Sequence, residues 1–170
     1  MPIASCQAYI QSLLNGLPMP GNAPDMVAFI TPPDPNVEAG PPTAYIWPVD
    51  GNESRNPASG GAIPRNTGPG TAAGRKPLEH MIDVYVVFFS PDDDPDADAQ
   101  FPGIIDAVMD ALRTSANPVV VTDPYTGLET QLIDVGERLT YRITINALAD
   151  QAFNRYDGLV TAPVLELLQA

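Results

Sequence analysis

LEHMIDVYVVFF (Leu78–Phe89) and RLTYRITINAL (Arg138–Leu148) bracket one amphipathic stretch, FPGIIDAVMDALRTS (Phe101–Ser115). In the first, Leu78, Ile82, Val84, Val86 and Phe88 fall on one side of a pleated strand; Glu79, Met81, Asp83, Tyr85, Val87 and Phe89 fall on the other. That second side is polar early and apolar late, so the strand is expected to enter the core as it proceeds. In RLTYRITINAL, Leu139, Tyr141, Ile143 and Ile145 alternate with Thr140, Arg142, Thr144 and Asn146. This predicts a half-buried strand with a hydroxyl-rich outer side. Between the two, Ile104, Ile105, Val108, Met109 and Leu112 form one helical stripe, with Asp106 and Asp110 opposite. Pro102 suits a first helical turn, and Asn117-Pro118 closes the element. The pattern predicts an α+β fold with a small mixed or antiparallel sheet.

Working outward, residues 3–15 read as a helix, with Cys6, Ile10, Leu13, Leu14 and Leu17 at three- and four-residue steps. Gly16 and Pro18 end it. Met26–Ile30 and Ala44–Val49 read as short strands, the second ending at Pro48 or lying at a sheet edge, because proline cannot donate to a ladder. Val119–Thr122 reads as a strand, Asp123–Gly127 as a turn, and Gln131–Val135 as a strand pairing with its successor in the chain. One α+β domain over 1–148 is expected, with 50–77 inserted as a Gly/Pro-rich loop. That loop holds six of the 13 glycines and four of the eight basic residues, so it is locally positive. Residues 149–170 read as a carboxyl-terminal extension. Its apolar side chains need cover, on their own domain or on a neighbouring subunit, and the expectation favours the neighbour. Pro163 excludes one unbroken helix there.

The chain has 170 residues and a net charge of −13. So acidic a surface argues against a general nucleic-acid binder and against docking on anionic lipid. One cysteine, Cys6, excludes an internal disulfide framework and reads as a packed thiol. The first residues lack the basic and apolar regions of a secretion signal, and no apolar run reaches membrane-spanning length, so a protein made and used in a cytoplasm is expected.

Few residues suggest chemistry. GPGTAAGRK (68–76) lacks the preceding strand and the following Ser or Thr of a phosphate loop. One Cys and one His cannot make a Cys/His metal cluster, and His80, inside a strand, reads as a structural or rim residue. Asp94, Asp96 and Asp98 have the spacing that opens a calcium loop. The turn glycine and closing Glu are replaced by Ala99 and Ile105, so the carboxylates read as partners of a helix amino end. No catalytic residue, cofactor or metal is expected.

The order of elements, with EHMIDVYVVFFSP (Glu79–Pro91), the polar turn and helix DDDPDADAQFPGIIDAVMDAL, and LTYRIT (Leu139–Thr144), resembles the tail terminator proteins of long-tailed bacteriophages over about residues 3–148. The resemblance implies a structural virion protein and not an enzyme: a ring of six copies assembled in the host cytoplasm. Such a ring caps the tail tube and joins it to the head or neck, with DNA passing through its lumen. A ring needs one patch to meet a different patch. Arg55, Arg65, Arg75 and Lys76 are the expected loop contacts, and Tyr156, Leu159 and Val160 the expected strap across a neighbour. The alternatives are another head–tail connector or neck-completion protein, a small-ligand or peptide-binding module, and an enzyme built on carboxylates.

Overall fold

A computed structural model describes residues 2–33, 40–53, 76–91, 96–115, 118–127, 129–133, 135, 138–147 and 153–168. The described elements are helices α1 (Pro2–Leu14) and α2 (Ala97–Arg113) and strands β1 (Val27–Phe29), β2 (Thr43–Glu53), β3 (Lys76–Pro91), β4 (Val119–Thr122), β5 (Glu129–Ile133), β6 (Thr140–Ala147) and β7 (Phe153–Leu168). The strands form one mixed sheet in the order β1-β2-β3-β7-β5-β4, with β6 also paired to β7. Among the described strands only the β1–β2 pairing is parallel. The α+β architecture is therefore the one the alternating stretches predicted.

Both helices pack on the same side of the sheet. The strand residues facing them include Ile46 of β2, Ile82, Val84, Val86 and Phe88 of β3, and Tyr156, Val160, Ala162 and Val164 of β7, all buried. From α1 come Cys6, Ile10 and Leu14; from α2 come Phe101, Ile104, Ile105, Val108 and Leu112. Phe101, Phe88 and Tyr156 form an aromatic cluster with ring centroids 5.4–6.2 Å apart. The Tyr156 hydroxyl, at the edge of that cluster, donates to Asp98 Oδ1 at 2.7 Å, tying β7 to the first turn of α2. Asp98 thus sits where the helix dipole favours a carboxylate. Helix and strand come close at Gly158, where a Cβ would meet Ile105 and lie 3.1 Å from the Phe101 ring.

The tail expectation needs correction. Phe153–Leu168 is not a strap on a neighbour but β7, the strand at the middle of the sheet. It pairs along its whole length with β3. Its other side pairs with β6 over 154–161 and with β5 over 165–167. The apolar side chains found cover on their own chain. The alternation of β7 is blurred: Tyr156, Val160 and Val164 face the helices, but Gly158 interrupts that face and Leu159 and Leu165 put apolar side chains on the other. Pro163 obscured it further, since proline is out of place in a central ladder. Here Pro163 falls at 162–164, where among the described residues β7 has a strand neighbour on one side only, between the end of β6 and the start of β5. Residues 1–148 are therefore not a complete domain, and β5 pairs with β4 and β7 instead of with β6.

Two boundaries also shift. α2 begins at Ala97, so Pro102 lies in its second turn and not its first. β2 continues past Pro48 through an irregularity between Pro48 and Asp50. β1 covers β2 only at residues 43–45, so Pro48 lies at the sheet edge among the described residues, as one of its two readings required.

Candidate functional site

Among the described residues, one face of the sheet carries no helix. Cross-strand registers place Tyr45, Tyr85, Leu159 and Arg142 in one row across that face, and Trp47, Asp83, Thr161 and Thr140 in the next. Tyr85 and Leu159 are half-buried, Arg142 is exposed, and Trp47 is 40% exposed. Phe29 of β1, also exposed, stacks on Tyr45 with centroids 6.0 Å apart. Polar links run along and across the face. Arg155 Nε donates to Asp157 Oδ1 at 2.9 Å, and Thr161 Oγ1 donates to Asp83 Oδ1 at 2.6 Å. Burial, then the neighbouring Asp157 carboxylate, raise the Tyr85 phenol above its ordinary pKa.

The edges of the sheet at β1–β2 and at β6 are finished differently. At the β1–β2 margin, α1 supplies two amide side chains and the residue just past its end a third. Gln7 Nε2 donates to the Ile46 carbonyl at 3.0 Å, Gln11 Nε2 donates to the Ala28 carbonyl at 2.9 Å, and Asn15 Oδ1 accepts from the Ala28 N–H at 3.3 Å. Backbone groups that would otherwise seek another strand are thereby satisfied. β6 pairs with β7 on one side only, and among the described residues no strand pairs with its outer edge.

The expected contact residues separate. Arg55, Arg65 and Arg75 lie outside the described residues. Lys76 is the first residue of β3, with its side chain outside the description. Tyr156 and Val160 are buried against the helices, so they do not contact a neighbour, whereas Leu159 points to the open face. Of the candidate calcium ligands, Asp94 lies outside the described residues, Asp96 is exposed, and Asp98 is taken by Tyr156.

One cluster was not legible in the sequence. On the helix side, His80 of β3 and Glu166 of β7 meet with Nε2 to Oε2 at 2.9 Å, and Cys6 of α1 lies beside them. One donor atom from each lies within 4.8 Å of the others. Cys6 and Glu166 are fully buried and His80 is 7% exposed. Burial, then the negative Glu166, push the Cys6 thiol well above its ordinary pKa. Counting only Cys and His excluded a cluster; the third donor is a Glu from the strand that sequence pattern failed to identify. Its one local signal is a charged residue inside the run VLELL (164–168).

No protein-family model matches the chain, and no curated protein matches it either.

Proposed function

We propose that this chain is a structural ring protein of the tail-terminator kind, acting by contact and not by catalysis. In that reading about six copies form a collar in the virion neck, above a tail tube and below a head connector. It assembles in the host cytoplasm, and DNA passes through it without sequence-specific binding. The observation that carries the reading is the unequal finish of the sheet: Gln7, Gln11 and Asn15 bond the β1–β2 margin, while among the described residues nothing pairs with the β6 edge and no helix covers the face beside it. A closed ring needs a head-to-tail contact between two different patches. The β6 edge offers one, because an exposed strand edge presents a row of unpaired N–H and C=O groups. The partly apolar face carrying Trp47, Tyr85 and Leu159 offers a different one. The resemblance to tail terminators over about residues 3–148 supports the reading, and a net charge of −13 suits a lumen that must not hold DNA.

Electron microscopy and sedimentation of the purified chain, alone and with tail-tube polymers, test this. Rings, or caps that stop tube growth, are expected. A monomer at all concentrations that leaves tube length unchanged would refute the ring.

A further inference from the structure

We propose that Cys6, His80 and Glu166 form a binding site for one zinc-class transition-metal ion, seated between α1 and the β3–β7 pair. Three separate elements deliver a thiol, an imidazole and a carboxylate to one point, with donor atoms within 4.8 Å of one another. This donor set, mixed sulfur, nitrogen and oxygen, suits a borderline-soft divalent ion and not calcium or magnesium, which take oxygen ligands. Tetrahedral bonding sets neighbouring donors roughly 3.5 Å apart. That spacing lies between the 2.9 Å His80–Glu166 contact and the 4.8 Å limit of the cluster, so the adjustment asked for is one of side-chain rotamers.

A second observation points to a ligand independently. Glu166 is 0% exposed, and its Oε1 has no hydrogen-bond partner among the described residues. A buried carboxylate oxygen left without a donor is costly, and an apolar side chain would fit this core better. A divalent ion supplies what is missing. Thiolate and carboxylate together carry two negative charges and the neutral imidazole none, so the occupied site is neutral in a water-poor interior. The ion would also reverse the effect of burial on Cys6, since a coordinating thiol is deprotonated. Entry is at His80, the member of the three that reaches the surface. It is paired in register with Gly51, whose missing side chain leaves space 3.5 Å from Nδ1. A solvent water completes the four-coordinate shell.

The test uses the full chain without a metal-binding tag, stripped with a chelator. Cobalt(II) is the optical probe and zinc the competitor. Expected are one equivalent of cobalt per chain, a thiolate-to-cobalt charge-transfer band with intense tetrahedral visible bands, and loss of both on adding zinc. Glu166→Gln and Cys6→Ser should each weaken binding at least tenfold, and zinc should raise the melting temperature of the wild-type chain but not of Glu166→Gln. The idea is overturned by a folded wild-type chain with no charge-transfer band at stoichiometric cobalt. A band that survives unchanged in folded Glu166→Gln overturns it as well. If either variant fails to fold, the wild-type titration decides.

Discussion

The covered and open sides of the sheet are built from the same strands, one residue apart, and they do different work. On β3, Ile82, Val84 and Val86 are fully buried under the helices, while Met81, Asp83 and Tyr85 between them stay half-exposed on the open side. On β7, Tyr156, Val160 and Val164 are core, while Leu159 and Thr161 face outward. The difference teaches that stability resides in one set of alternating positions and that any assembly contact must come from the other. The residues expected to form a strap show the consequence. Val160 and Leu159 are adjacent and both apolar, yet only Leu159 can meet a neighbour without unfolding the chain.

The comparison breaks hardest at β7, which belongs to both sides. A chain ending at Ala147 removes the partner of β3, β5 and β6 together, so it should show no cooperative thermal transition by circular dichroism. A truncated chain that melts cooperatively would return residues 149–170 to the role of a dispensable strap.

Next comes the covered side alone. Phe101→Ala opens a cavity in the Phe88–Tyr156 cluster and should cost about 3–5 kcal/mol by denaturant unfolding. Gly158→Val should cost about 1–3 kcal/mol through overpacking against Ile105 and Phe101. If either changed stability no more than a surface substitution, α2 would not pack on β7 as described.

The open side sharpens the contrast. Leu159→Lys and Trp47→Ala should each change stability by less than about 1 kcal/mol, because these positions keep contact with solvent. Both should reduce self-association measured by sedimentation. Unchanged association with either variant would move the contact away from this face. The smallest effect is expected at the closed margin. Gln11→Ala loses one amide bond to Ala28, for about 1 kcal/mol, and should increase non-specific association by baring the β1 edge.

Pattern alone made much of the fold legible. The stripe Cys6, Ile10, Leu14 and the stripe Ile104, Ile105, Val108, Leu112 are local periodicities, and both are buried helix faces. The alternation of Leu78–Phe89 likewise predicted which residues of β3 face the core. Less of the candidate site was legible. Leu159 was named among the contact residues, but beside two core residues, because the stretch reads as a terminal extension: Tyr156, Val160 and Val164 do alternate with Arg155, Asp157 and Thr161, but Gly158, Leu159 and Pro163 interrupt the pattern. The closing of one sheet margin by Gln7, Gln11 and Asn15 depends on where α1 docks, which those residues do not state.

What the sequence determined by itself were the elements whose hydrophobic period is expressed within a dozen residues: two amphipathic helices, the long strand β3, the strand β6 (though Tyr141 on its apolar side is exposed) and the turn at Asp123–Gly127. Tertiary structure alone decided the rank of the last strand, its insertion between β3 on one side and β5 and β6 on the other, and the meeting of Cys6, His80 and Glu166. The reason is physical. Periodicity reports which side of an element avoids water, whereas strand order and side-chain convergence are set by contacts between segments far apart in the chain. His80 and Glu166 are separated by 86 residues, and no local pattern spans that interval.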